Sequence, residues 1–68
     1  MVTFETGIDD MYLRITCKWS DNQGYYPVDI MVKNPEGKFE QAPIAVYEWI
    51  ECDKELLDWI RWEALENE

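Results

Sequence analysis

No histidine occurs anywhere in the chain. That removes the commonest general base and the commonest metal ligand. Only two cysteines are present, Cys17 and Cys52. Two thiols cannot complete a four-ligand zinc site without carboxylates, and their spacing fits no zinc pattern. They read as small buried residues, and a bridge between them would require the fold to bring them together. The three glycines stand far apart, so no phosphate-cradling loop exists. No apolar run approaches membrane-spanning length. Bases are scarce as well: six, against fifteen acids, for a net charge of −9. Such a chain is repelled by nucleic acid and by anionic membranes, and attracted to basic protein surfaces.

These absences leave few enzyme classes open. Asp21-Asn22-Gln23-Gly24 resembles the start of a calcium loop, but the later ligand spacing and closing Glu are missing. Asp9-Asp10 is a carboxylate pair of the kind that chance places in an acidic chain. A single domain spanning residues 1–68 also leaves little room for a water-excluding pocket. The chain therefore reads as non-enzymatic, with no cofactor and no metal. The N-terminus Met1-Val2-Thr3-Phe4-Glu5 has no export-signal character, which gives the expectation of a cytoplasmic protein.

What is present is an apolar fraction of 47% and an aromatic fraction of 15%, including four Trp. That composition supports a packed core and excludes a disordered acidic tail. Met11, Leu13, Ile15, Cys17 and Trp19 alternate with Tyr12, Arg14, Thr16 and Lys18, which predicts a half-buried strand with the first set inward. Tyr26, Val28, Ile30 and Val32 alternate with Pro27, Asp29, Met31 and Lys33 and predict its hairpin partner, again with the first set inward. The turn between them is Ser20–Gly24. A shorter first strand is expected around Val2 and Phe4, followed by a turn at Gly7-Ile8-Asp9-Asp10. Asn34-Pro35-Glu36-Gly37 predicts a type I turn with Gly37 in the left-handed bulge position, leading into a short fourth strand over Lys38–Gln41.

From Ile44 to Glu66 the pattern is helical, with Pro43 suited to the first turn. On a wheel with Ile44 at 0°, Val46, Trp49, Ile50, Leu56, Leu57, Ile60 and Ala64 fall between about 120° and 240°. Asp53 falls in the middle of that apolar face, where an unsatisfied charge is costly. Two outcomes fit: a helix break with Asp53 as N-cap of a second helix starting at Lys54, or a continuous helix with Asp53 hydrogen-bonded. The expected fold is α+β, an antiparallel sheet of three to four strands packed by C-terminal helix on one face.

The other side of the helix carries the functional signal. Residues 35–68 hold ten acids and three bases (net −7), against five acids and three bases (net −2) in residues 1–34. Glu48, Glu51, Glu55, Asp58 and Glu66 share a strip about 80° wide, with Trp62 inside it and Trp59 at its border. Like charges at these spacings repel, and a Trp rimmed by charge is the composition of a binding hot spot. A continuous helix would spread the strip over about 27 Å, where duplex DNA presents roughly sixteen charges. Five carboxylates imitate at most a short stretch of one strand. The sheet's outer face holds Tyr12, Arg14, Thr16, Lys18 and Lys33, too little positive charge to expect direct nucleic-acid binding.

In size, charge and architecture, although in no motif, the chain resembles the small acidic inhibitors that phages direct at host nucleic-acid enzymes: anti-CRISPR, anti-restriction, glycosylase-inhibitor and polymerase-inhibitor proteins. That resemblance implies a stoichiometric inhibitor whose partner offers the basic surface of a nucleic-acid-binding protein. The alternative is an accessory or structural module that homodimerises through the Trp-bearing helix.

Overall fold

The computed structural model describes residues 1–68. Four antiparallel strands, β1 (Val2–Ile8), β2 (Met11–Ser20), β3 (Gly24–Lys33) and β4 (Phe39–Gln41), form one sheet in the order β1-β2-β3-β4. Two helices follow, α1 (Ile44–Cys52) and α2 (Lys54–Glu66), giving an α+β fold. No helix is long and apolar enough to cross a membrane.

Alternation along β2 does what it predicts for Leu13, Ile15 and Cys17, which have no exposed surface. Val2 and Phe4 of β1 and Ile30 of β3 join them under Ile50 of α1 and Ile60 and Ala64 of α2. Burying a side chain of this size contributes about 1.5–3 kcal/mol, so these few residues dominate the stability of a small domain.

Three expectations about the strands need correction. β1 runs past Gly7 to Ile8, and only Asp9-Asp10 forms the loop. Asp9 takes the positive φ of 54° that a two-residue hairpin loop requires. In β3 the alternation breaks. Thr16 pairs with Asp29 but Cys17 pairs with Pro27, so Val28 is the extra residue of a bulge. Pro27 cannot donate to the ladder, and a bulge is where a strand tolerates that. Below the bulge every side chain changes face: Tyr26 sits opposite Lys18 on the outer side, and Tyr25 sits opposite Trp19 on the helix side. Tyr26 and Val28 are thus not core residues. Trp19 is 59% exposed despite its inward parity, because it lies at the last pairs before the loop and stacks edge-on against Tyr25 (centroids 5.2 Å apart).

The turn at Asn34–Gly37 forms as expected. Gly37 takes φ 87°, its N–H bonds Asn34 O at 2.9 Å, and Asn34 N–H bonds Lys38 O at 2.7 Å.

The helix breaks at Asp53, which is extended (φ −103°, ψ 100°) and accepts a hydrogen bond from Leu56 N–H at 3.1 Å. The acid in the apolar face is thereby an N-cap. Pro43 stands one residue before α1 rather than inside it. Both cysteines are free, Cys17 buried and Cys52 exposed at the end of α1, so the expectation of a buried Cys52 is overturned. Cys52 is the last residue of α1 and stands about 200° round the helix from the fully buried Ile50.

Candidate functional site

The Asp53 break divides the acidic strip. Glu48 and Glu51 lie on α1, while Glu55, Asp58, Trp59, Trp62 and Glu66 lie on α2. All seven are exposed. An extended residue between the helices means that there is no single straight row of charge. The continuous part is the face of α2, whose 13 residues span about 20 Å.

α2 is held down by Leu56, Leu57, Ile60 and Ala64, which pack into or against the core. Trp62 stands two residues on from Ile60, on the side turned away from the sheet. It is 67% exposed, and Trp59 is 37% exposed. Leu65, one turn beyond Trp62, is 44% exposed and enlarges the apolar spot. The wheel contains a signal for it: Leu65 falls at about 300°, beside the strip.

Few of the carboxylates are neutralised. The molecule has two ion pairs, Glu5 with Arg14 and Asp58 with Arg61, both at 3.1 Å. Arg61 also donates from Nε to Tyr25 O at 3.3 Å, which ties α2 to the start of β3. Of the strip residues only Asp58 has a basic partner. Glu48, Glu51, Glu55 and Glu66 face solvent without one. Exposed pairs of this kind stabilise by at most about 1 kcal/mol, so even Asp58 remains available to a competing cation.

The opposite side of the molecule differs in character. Arg14 Cζ lies 4.1 Å above the Phe39 ring and Lys33 Nζ lies 5.3 Å from the Tyr12 ring. These bases rest on the chain's own aromatics. No group of three or more Cys, Asp or Glu side chains is placed to hold a metal ion.

Two groups have shifted ionisation. Burial pushes the Cys17 thiol up to about 11. Burial, and then the neighbouring Glu68 carboxylate, raises the Tyr25 phenol. Neither belongs to the strip.

Comparison with protein-family models, with curated proteins and with solved structures gives no significant match for this chain.

Proposed function

We propose that the chain is a non-enzymatic binding module, a stoichiometric inhibitor of the phage type, whose α2 face docks on the basic surface of a nucleic-acid-binding protein. Trp62 is the apolar anchor. Trp59 borders it, and Glu48, Glu51, Glu55, Asp58 and Glu66 form the charged rim. The observation that carries this reading is an indole left 67% exposed among carboxylates of which only Asp58 is paired. Trp is among the residues that dominate interface energetics. The rim would speed encounter with a positive partner and make binding weaken with salt.

The alternative is homodimerisation through the same helix face. A two-fold interface sets the patch against its own copy, so one carboxylate rim would face another and added salt would strengthen that pairing.

Affinity capture from a host lysate at low and at high salt tests the proposal. Basic, nucleic-acid-binding partners should be retained at low salt and released at high salt. Trp62→Ala should weaken capture by about 2 kcal/mol, roughly thirtyfold, the scale of a hot-spot truncation. Recovery of only non-basic, salt-insensitive partners would sink it.

A further inference from the structure

The two edges of the sheet are finished differently. At one edge β4 is only three residues long, and two side chains and one backbone N–H close the β3 edge beyond it. Ile30 N–H donates to Tyr47 Oη at 2.9 Å, and Ile30 O accepts from Ala42 N–H at 3.0 Å and from Gln41 Nε2 at 3.2 Å. At the other edge lies β1, seven residues in unbroken register from Val2 opposite Cys17 to Ile8 opposite Met11.

The direction of the β1 backbone groups follows from Ile30. Both its N–H and its C=O turn toward the β4 side, so Ile15 opposite it turns its own toward β1. Phe4, opposite Ile15, therefore bonds to β2. By alternation the N–H and C=O groups of Thr3, Glu5 and Gly7 point outward. None of them has a partner: no hydrogen bond outside the regular ladders and no side chain reaches the backbone of residues 2–8.

Exposed edges in stable monomers are blunted by proline, charged side chains (above all lysine), bulges or short length. β1 has no proline, lysine or bulge and runs seven residues. Its one charge, Glu5, is held sideways by Arg14 at 3.1 Å.

We infer that β1 is a self-pairing edge: two copies of the chain join β1 to β1, antiparallel, into one continuous eight-stranded sheet. A register centred on Glu5 pairs Thr3 with Gly7 of the second copy and forms about six new backbone hydrogen bonds. It sets Val2 against Ile8 of the second copy and Phe4 against Thr6 of the second copy, so the helix-covered face continues across the seam. The two Glu5 carboxylates meet at the centre, each already bound to its own Arg14.

A second copy fits this edge better than a free peptide. Strand addition takes its specificity from pockets for alternate side chains, and there is no cavity beside β1 to receive them. A second copy brings its own apolar face and covering helices. The seam is formed by β1 backbone groups and uses none of the exposed α2 residues, so this inference does not depend on the proposed function. Two chains of net charge −9 repel at long range, so added salt should strengthen the pairing.

Sedimentation equilibrium of the full chain across micromolar to submillimolar concentration, at low and high salt, tests it together with amide hydrogen exchange. The expected result is a monomer–dimer equilibrium that tightens with salt, with the amides of Thr3, Glu5 and Gly7 gaining protection as dimer forms. Thr3→Pro removes an outward N–H without touching the β1–β2 ladder and should weaken dimerisation at least about tenfold. Glu5→Lys replaces two Arg14-paired carboxylates at the seam with two ammonium groups beside unpaired Arg14 guanidiniums, costs the monomer a surface ion pair and one like-charge cross-strand contact, and serves should the proline variant not fold. Trp62→Ala should dimerise as the wild type does, even though it is the variant that tests partner docking. A wild-type chain that stays monomeric at high salt overturns the inference. So does a dimer whose Thr3, Glu5 and Gly7 amides exchange freely, or one unaffected by Glu5→Lys.

Discussion

Single residues differ sharply in what their surroundings allow them to do. Cys17 has no exposed surface and its thiol is pushed up to about 11 from the ordinary 9.0. Thiolate is the reactive form, so near pH 8 Cys17 is both shielded and protonated. Cys52 is exposed. A disulfide-exchange reagent should titrate one thiol rapidly in the native protein and two after denaturation, and Cys52→Ser should abolish the rapid phase. The same shift makes stability depend on pH. The folded pKa lies above the unfolded one, so the fold favours the protonated thiol. Its contribution is complete below about pH 9 and is lost as pH rises toward about 11. The linkage amounts to about 2–3 kcal/mol, and the raised Tyr25 phenol acts in the same direction. Urea denaturation should show lower stability at about pH 10.5 than at pH 8, with Cys17→Ala removing most of the thiol's share. Asp53 works through geometry instead. Its carboxylate accepts from Leu56 N–H, so Asp53→Ala should cost about 1 kcal/mol while Asp53→Asn keeps most of the cap. Thermal melts of the two variants against wild type would measure the difference.

At the scale of elements, Tyr47 joins the helical layer to the sheet. Its hydroxyl accepts from Ile30 N–H at 2.9 Å and lies within 3.3 Å of Ile30 O and 3.4 Å of Asp29 Oδ1. It also accepts from Gln41 Nε2. Tyr47→Phe keeps the ring and strips a buried N–H of its partner, which should cost about 1–3 kcal/mol. Faster exchange of the Ile30 amide at unchanged helix content would confirm the cause. Nothing in the sequence marked Tyr47 for this task, because helical periodicity places it beside the core face and cannot show which strand edge it meets. The break in the helix was legible, since one acid in the middle of an apolar face leaves few low-energy outcomes and capping is among them. The Asn34–Gly37 turn was legible for a similar local reason, a residue able to take positive φ at the required place. The bulge at Val28 was not. Tyr26, Val28, Ile30 and Val32 keep period two without a gap, and only Pro27, a residue that disrupts ladders, hinted that the lower strand changes face. Trp19 was misplaced for a different reason: parity assigns a side of the sheet, but exposure depends on how far the covering helix reaches. The candidate strip fared as its physics allows. Which carboxylates and indoles of α2 face outward follows from 100° per residue, but the relation of Glu48 and Glu51 to them depends on the turn at Asp53.

For the whole molecule, charge is the governing quantity. A chain of net charge −9 with two internal ion pairs carries repulsion that folding concentrates, since the compact state brings the carboxylates closer together than the unfolded chain does. Salt screens that repulsion, with a Debye length falling from about 30 Å at 0.01 M to about 8 Å at 0.15 M. The melting temperature should therefore rise with sodium chloride over that range, and by less in a variant carrying Glu48→Gln, Glu51→Gln and Glu55→Gln. The same screening acts in opposite directions on the two kinds of association. Docking of the α2 face on a basic surface gains from long-range attraction, so salt weakens it. Pairing of β1 with a second β1 works against like-charge repulsion and gains from backbone hydrogen bonds that salt does not screen, so salt strengthens it. Measuring all three on one preparation therefore separates partner docking, by sign, from stability and self-association. If stability and self-association both rise with salt while partner capture falls, the molecule uses its acidic helices for recognition and its sheet edge for assembly. If partner capture is indifferent to salt while stability still rises, the carboxylates repel one another but take no part in recognition, and the electrostatic docking of the α2 face is lost.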